Sequence, residues 1–230
     1  MKDDLKWRHE YKYVINSIQE SLLKVRIDGV LSKDPYVNED GKYIIRSLYF
    51  DDYEDTCLEE NTSGIDPRSK IRVRYYNSDT GYIQLEKKIK SHGLCMKRSC
   101  RLTYDECKML VMGNVPVVYS NMIEEKKELL SEIRIRRLKP TVIVTYERVP
   151  YVYDCGNVRI TIDRLVTSSE DLNRFLLRDY RERPILKTGR SILEVKWDYI
   201  MPEFLRDIVN VDNLERTAFS KYGMCRRFSI

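Results

Sequence analysis

The chain has 230 residues, with 41 lysines and arginines against 36 aspartates and glutamates, so its formal net charge is only +5. The length suits one large domain or two small ones, and a hydrophobic fraction of 42% is too high for a disordered chain. The small net charge argues against a protein that coats nucleic acid with a basic exterior.

The first part of the chain predicts two strands and two helices. Residues 7–15 alternate between polar and apolar side chains, which is typical of a half-buried strand. Ser17 is the candidate N-cap of a helix that continues to about residue 31, and Glu20 completes a capping box three residues later. A strand over 43–51 and a short helix over 53–62 follow.

Three strands then follow in close succession, over residues 69–76, 82–90 and 94–103. The segments NSDTG and SHG that separate them are typical of hairpin connections. Neighbouring strands in this region are therefore expected to be antiparallel.

The second half of the chain predicts the remaining strands and most of the helices. Helices over 104–112 and 121–138 precede strands over 140–149 and 157–167, which are joined by a turn near 154–156. The last elements are a short helix over 171–180, a strand over 190–198 and helices over 202–209 and 214–227. Eight strands with helices inserted between them predict an α+β fold on an antiparallel sheet. No repeat or proline-rich linker divides the sequence, so a single domain over 1–230 is expected.

The predicted strands have one charged face, because side chains two positions apart share a face. In the strand over 69–76, for example, Arg72 and Arg74 lie opposite Ile71 and Val73. The charged faces of the strands carry ten bases, Arg8, Lys12, Arg72, Arg74, Lys88, Lys97, Arg101, Arg148, Arg159 and Lys196, and four acids, Glu10, Glu86, Asp163 and Glu194.

For any single strand, an ordinary solvent-exposed face is the simpler explanation of these charges. That explanation fits the whole set less well, because like charges opposite one another across strands are destabilising. So much positive charge on one surface requires an anionic partner.

Two arrangements would use this face. An open basic sheet would bind RNA, but such platforms carry several aromatic side chains for base stacking, and only Tyr76 and Tyr146 stand out here. Alternatively, the sheet closes into a barrel with the basic face inside and helices covering the apolar outer face. Eight strands leave a narrow lumen that suits a phosphate chain. The few glutamates would then hold Mg²⁺ or Mn²⁺ against the phosphates.

Other chemistries are not indicated by the sequence. The six cysteines form no CxxC pair and there are only two histidines, so we expect reduced thiols and no zinc site. The motifs GxxxxGKS/T, GxGxxG, HExxH and GxSxG are absent. No apolar run approaches the roughly 18 residues of a membrane span, and the first residues lack a signal-peptide segment, so a cytoplasmic location is expected.

The order of short motifs along the chain resembles a known family. Between Arg8 and Tyr222 the chain contains R-x-E-x-K, S-L-Y-F-D, R-x-R, L-E-x-K, K-R-x-x-R, Y-x-R, R-x-T-x-D, L-E-x-K and S-K-Y. This order resembles the VTC (vacuolar transporter chaperone) polyphosphate polymerase domain, one of the triphosphate tunnel metalloenzymes related to CYTH domains. The resemblance implies an eight-stranded antiparallel tunnel in which basic side chains and a metal bind a triphosphate.

One position departs from the hydrolases of that superfamily. CYTH hydrolases typically carry Glu-x-Glu-x-Lys on the first strand, and Arg8 replaces the first of those glutamates here. The replacement removes a carboxylate and adds a phosphate-binding group, so it favours the polymerase branch.

The leading hypothesis is therefore transfer of the ATP γ-phosphate to a growing polyphosphate chain, with Mn²⁺ or Mg²⁺ as cofactor. The resemblance implies catalytic roles for Arg72, Arg74, Lys88, Arg148 and Arg159, phosphate binding by Arg8, Lys12, Lys97, Arg101, Lys196, Ser220 and Lys221, and metal binding or orientation of water by Glu194, Glu10 and Glu86. The alternatives are a tri- or polyphosphatase in the same tunnel and a non-catalytic polyphosphate- or nucleotide-binding accessory protein with a protein partner. Nucleic acid is not expected as a partner.

Overall fold

The computed structural model describes residues 6–211 and 214–227. Its strands are β1 (Arg8–Asn16), β2 (Ser32–Lys33), β3 (Tyr43–Asp51), β4 (Arg68–Tyr76), β5 (Asp79–Ser91), β6 (Leu94–Leu102), β7 (Lys139–Tyr153), β8 (Val158–Ser169), β9 (Arg183–Pro184) and β10 (Arg190–Trp197). Its helices are α1 (Ser17–Asp28), α2 (Thr56–Thr62), α3 (Tyr104–Val111), α4 (Glu124–Ile135), α5 (Glu203–Val209) and α6 (Lys221–Arg227).

Eight of these strands close into an antiparallel barrel, which confirms the predicted α+β fold. They follow the order β7-β3-β4-β5-β6-β1-β10-β8, and pairing of β8 with β7 completes the ring. The two short strands β2 and β9 extend the sheet beside β7 and β8. The sequence analysis did not predict these two strands, because two residues are too few to show an alternating pattern.

The barrel wall is uneven in its pairing. β1 and β10 are joined through eight residue pairs, from His9↔Trp197 to Asn16↔Arg190. On its other side β1 meets β6 through only two pairs, Arg8↔Cys95 and His9↔Leu94. The first strand is therefore held in the ring mainly by the last one.

The helices cover the apolar outer faces of the strands. Helices α3 and α4 pack on β4–β6, where Ile71, Val73 and Leu85 are fully or almost fully buried. Helices α1 and α5 pack on β8 and β10, over Ile160 and Leu193. Because these residues alternate with the charged ones along the strands, covering the outer face leaves the charged side chains inside the barrel.

Several element boundaries differ from the sequence expectation. The N-cap of α1 is Asn16, one residue before the predicted Ser17, and Gln19 takes the place that Glu20 was expected to fill in the capping box. The asparagine side chain accepts from the Gln19 amide at 2.9 Å, so it ends β1 and starts the helix at once. The helix predicted over 171–180 is only a 3₁₀ turn at Leu172–Arg174.

The helix predicted over 214–227 is confirmed only from residue 221 onward. Before it, Arg216 forms a β-bridge with Tyr13, and the amide of Thr217 donates to the carbonyl of Lys12 at 2.8 Å. Pairing with β1 therefore keeps residues 214–220 out of the helix and lays them against the barrel.

The turn between β7 and β8 depends on a glycine. Gly156 has a φ of 74°, and a Cβ there would lie 2.1 Å from the carbonyl oxygen of Ile200. Only glycine fits both the left-handed backbone and the close approach of that chain. No helix in the described part of the chain is long and apolar enough to span a membrane.

Candidate active site

A cavity of about 980 Å³ lies inside the barrel. Its lining includes Lys70 near the start of β4 and Arg159 near the start of β8. Three antiparallel pairings, β4–β3, β3–β7 and β7–β8, separate those two strands, so their first residues lie at opposite ends of the barrel. The cavity therefore runs from one end of the barrel to the other.

Charged side chains dominate the lining of this cavity. It includes fifteen lysines and arginines and four carboxylates, Glu10, Glu86, Glu194 and Asp198. Nine of the ten bases that the sequence places on the inner face are among them; the exception is Arg101. That residue is exposed, and its Nη2 donates to the carbonyl of Gly81 at 2.7 Å, at the hairpin end of β5.

The first charged cluster is built around Glu86 on β5. Arg72 donates to its Oε2 from Nε at 2.8 Å and from Nη2 at 2.7 Å. Arg74 lies 3.8 Å from the same oxygen, and Lys97 lies 3.4 Å from Oε1. Burial opposes ionisation of Glu86, but Arg72, Arg74 and Lys97 outweigh it and lower the pKa of this carboxyl. Both of its oxygens are engaged by bases.

Tyrosine hydroxyls hold the arginines from the other side. Tyr49 accepts from Arg72 Nη1 at 3.0 Å, and Tyr146 accepts from Arg74 Nη2 at 3.0 Å. Tyr43 accepts from Arg159 Nη2 at 2.7 Å. Each guanidinium is thereby fixed in the wall before any ligand arrives.

Strand β3 also contributes to this site, although none of its residues was predicted to do so. Ser47, which accepts from Arg74 Nε at 3.1 Å, lies on the same face of that strand as Tyr43 and Tyr49. The signal was available, since these residues are two or four positions apart. It was hidden because the segment YIIRSLYFD is mostly apolar and carries only two charges, Arg46 on the opposite face and Asp51 at the end of the strand.

A second cluster joins β7, β8, β10 and α6. Arg148 binds Asp163 through two hydrogen bonds of 2.6 and 2.7 Å and contacts Glu194 at 3.2 Å. Lys221, on the first turn of α6, lies 2.5 Å from Asp163 and 2.8 Å from Glu194. Asp163 is fully buried, so the two bases supply the charge that keeps its pKa low despite burial.

The third cluster connects Glu10 on β1 to Glu194. Lys88 is bonded to both oxygens of Glu10 at 2.7 Å. Lys12 contacts Glu10 at 3.7 Å and Glu194 at 3.3 Å, while Lys196 contacts them at 3.4 and 3.2 Å. Two lysines shared by two glutamates place the glutamates side by side in the cavity wall.

Electrostatics fixes the charge states of this cluster. Although burial favours the neutral acids, the surrounding lysines hold the pKa values of Glu10 and Glu194 well below their usual range. Burial lowers the pKa of Lys196 to about 8, even though Glu194 and Glu10 act to raise it. The carboxylates are therefore ionised at neutral pH.

The remaining predicted residues lie toward the two ends of the cavity. Arg8 forms an ion pair with Asp198, with Nε and Oδ1 2.7 Å apart, beside the β7–β8 turn. Ser220 lies at the other end, where its Oγ accepts from Lys70 at 2.9 Å. Lys70 was missed by the sequence analysis, although it shares a face of β4 with Arg72 and its alternation was visible.

No group of three or more histidine, cysteine, aspartate or glutamate side chains forms a metal cluster within residues 6–211 and 214–227. The six cysteines are free thiols, five of them buried and Cys155 exposed. The glutamates of the cavity are thus the hard oxygen ligands that the described lining offers to a divalent cation.

Comparison with known proteins agrees with this architecture. Residues 7–230 match the family model of the VTC domain. The fold is similar to that of HpAC1 from Hippeastrum, an adenylyl cyclase candidate described as having a dominant triphosphatase activity, with a TM-score of 0.52, 12% identity and coverage of 97% of this chain and 96% of that one. It is also similar to the PH1819 protein from Pyrococcus horikoshii OT3, with a TM-score of 0.50, 14% identity and coverage of 96% and 99%. No curated protein sequence matches the chain.

Proposed function

Because the chain belongs to the VTC domain family, we propose that it transfers the γ-phosphate of ATP to a growing polyphosphate chain inside the barrel. The observation that carries the proposal is the cavity itself, which runs from end to end and is lined by fifteen bases and four carboxylates. An anionic chain is the ligand that offsets this excess of positive charge.

The arginines are arranged to stabilise charge on phosphates in transfer. Arg72 and Arg74 are held by Glu86 and by two tyrosines, and Arg148 is held by Asp163 through Nε and Nη2. Within the described residues, Nη1 of Arg148 has no hydrogen-bond partner, which leaves it to donate to a ligand. Fixed donors need no reorganisation when charge develops, and phosphoryl transfer depends mainly on such positioning.

The carboxylates Glu10 and Glu194 fit a divalent metal bound together with substrate. Mg²⁺ is usually held by one or two carboxylates plus substrate phosphates, so this pair suffices without a protein-only cage. When bound, the metal would be held by Glu10 and Glu194 and would neutralise part of the charge on the phosphates. Glu86 lies apart, with its oxygens engaged by Arg72 and Lys97, and we assign it the orientation of Arg72.

The attacking group in this proposal requires no protein base. A terminal phosphate of the acceptor chain is ionised at neutral pH, so its oxygen attacks the γ-phosphorus of ATP without losing a proton to a side chain, and ADP leaves. Lys88 and Arg159, toward opposite ends of the cavity, would hold the incoming and outgoing parts of the chain, together with Arg8, Lys12, Lys97, Lys196 and Lys221.

The test is product analysis with purified protein, ATP and Mn²⁺. A long product that resists nucleases and is degraded by exopolyphosphatase supports the polymerase. Release of inorganic phosphate without polymer refutes it and indicates a triphosphatase, in which Glu10 or Glu86 would orient water. Saturable polyphosphate binding without turnover indicates an accessory binding protein instead.

A further inference from the structure

One lysine in the cavity differs in its partners from the lysines that are bound to glutamates. Lys70 lines the end of the cavity opposite Arg159. Its ammonium donates to Asn61 Oδ1 on α2 and to Ser220 Oγ at 2.9 Å. Among the described residues, no carboxylate lies within salt-bridge distance of it. By contrast, Lys12 and Lys88 are each bound to a glutamate.

Asn61 and Ser220 both accept from Lys70, and all three side chains keep a donor that is free for a ligand. Ser220 Oγ accepts from Lys70 and also from the Gly223 amide at 3.2 Å, so its own O–H is free to donate elsewhere. A charged lysine can only donate, and it is the oxygen of the Asn61 amide that faces Lys70. The Asn61 Nδ2 group then points away, and it has no hydrogen-bond partner in the described parts of the chain.

We propose that Lys70, Asn61 and Ser220 form a phosphate-binding subsite for the end of the phosphate chain that lies farthest from Arg159. The subsite offers an N–H of the lysine, an N–H of the amide and an O–H of the serine to one ligand. Phosphate oxygens accept three such bonds readily, and a cationic donor strengthens them. This inference rests on the proposed function, since it names where one end of that substrate binds.

The surroundings of Lys70 predict that an anion changes its protonation. Burial, assisted by the positive charges of Lys12, Lys88 and Arg68, lowers the pKa of Lys70 to about 7. The charged and titratable groups on the elements around it are Lys12 on β1, Asp51 on β3, Arg68 on β4, Lys88 and Lys90 on β5, Cys57 on α2 and Tyr222 on α6. Asp51 is already engaged by the Tyr222 hydroxyl and by amides of α2.

A phosphate placed beside this amine favours its charged form. At pH 8 an amine with a pKa of about 7 is mostly neutral, so binding of a phosphate chain would be accompanied by uptake of about one proton at Lys70. Lys196, with a pKa of about 8, would also take up part of a proton, but it does so equally in wild type and in Lys70→Arg, so the difference between the two proteins reports Lys70.

The experiment is calorimetric titration of tripolyphosphate at pH 8 in two buffers with different ionisation enthalpies. Lys70→Arg stays charged and cannot take up a proton at this position, whereas the protons exchanged by the ligand are the same in both titrations. The difference in proton uptake between wild type and Lys70→Arg therefore measures the proton bound at Lys70. We expect about one proton less for Lys70→Arg, with affinity within a few-fold of wild type. For Lys70→Met we expect about 10- to 100-fold weaker binding, as for loss of a charge-assisted hydrogen bond.

The matched control is Lys87→Met, on the outer face of β5, where the lysine pairs with Glu132 at 2.6 Å. It loses the same charge outside the cavity, and its affinity should equal that of wild type. Equal proton uptake in wild type and Lys70→Arg, or wild-type affinity in Lys70→Met, overturns the subsite and leaves the proposed function standing. Failure of wild type to bind tripolyphosphate overturns both.

Discussion

The cluster of Arg148, Asp163, Lys221 and Glu194 makes a sharp prediction about stability. In the variant Arg148→Met, the fully buried Asp163 keeps only Lys221 as a partner, at 2.5 Å. It loses two hydrogen bonds of 2.6 and 2.7 Å, and Glu194 loses a contact at 3.2 Å. A buried carboxylate is thus left with half of its compensating charge.

The expected cost follows from the burial of the pair. The side chain of Arg148 is 8% exposed and that of Asp163 is 0% exposed. Removing one partner of such a pair costs about 3–5 kcal/mol. In a chain of this size, each kcal/mol lowers the melting temperature by about 2–4 °C, so a fall of about 6–20 °C is expected.

Urea unfolding at pH 7 measures this free energy, and a matched surface variant calibrates it. Arg164 follows Asp163 on β8. It contacts Glu147 at 3.1 Å and Glu20 at 3.4 Å, but its side chain is 29% exposed. Arg164→Met should therefore cost less than about 1 kcal/mol. The double variant Arg148→Met/Asp163→Asn removes one charge of each sign, so it should be more stable than the sum of the single changes by about 1–3 kcal/mol.

An unfolding free energy of Arg148→Met within about 1 kcal/mol of that of Arg164→Met would refute the proposed cost of leaving Asp163 uncompensated. Strict additivity in the double variant would contradict it separately, because the loss would then not come from an uncompensated Asp163. Both results are read from the same denaturation curves, provided that their slopes stay constant.

Four further predictions follow from single residues. The folded pKa of Glu86 is depressed below 4.5, so the stability that its carboxylate contributes is present above pH 4.5 and is lost as the pH falls through the folded value. Between pH 7 and pH 3, Glu86→Gln should therefore lose less unfolding free energy than wild type in urea unfolding. Equal losses in the two proteins would contradict this. Glu194→Gln should abolish the gain in tripolyphosphate affinity that Mn²⁺ gives to wild type in calorimetry, whereas an unchanged gain would exclude Glu194 as a ligand. Asn16→Ala should cost about 1 kcal/mol in urea unfolding through loss of the α1 cap, and no change would mean that the capping box is not stabilising. Gly156→Ala should lower the melting temperature, because the added Cβ would lie 2.1 Å from the carbonyl oxygen of Ile200. An unchanged melting temperature would show that the turn can relax to accept a side chain.

Strand alternation was enough to predict the charged face of most strands, whereas the closed barrel was one of two arrangements that it left open and was implied by the family resemblance. Residues such as Arg72 and Arg74 alternate with Ile71 and Val73, and this period survives closure of the sheet. Arg101 shares the alternation of Lys97 but is exposed, because it pairs with Gln84 at the end of β6 that is far from the β5–β6 hairpin. Alternation assigns a face and does not say where the cavity ends.

Partner choice inside the barrel was beyond the sequence. Arg148 meets Asp163 because β7 and β8 close the ring in that register. Arg159 is bound to Asp34, in the segment that follows β2 and is 125 positions away in the chain. Contacts of this kind form only when distant strands pair and the barrel closes, so no local sequence pattern predicts them.

The end of α6 shows a similar limit. Helical periodicity near the end of the chain suggested a helix from residue 214, but pairing of Arg216 with Tyr13 on β1 holds the preceding segment extended. A tertiary contact thus overrides local propensity, and it brings Ser220 and Lys221 to the cavity.

The dependence of β1 on β10 has a consequence for synthesis of the chain. The pair Asn16↔Arg190 spans 174 positions, and at 5–20 residues per second the ribosome needs roughly 9 to 35 s to make them. During that interval β1 has only its two residue pairs with β6 available among its barrel neighbours, so its edge is open to other nascent chains. The charges of Arg8, Glu10 and Lys12 on that strand then protect it from aggregation, before they have any phosphate to bind.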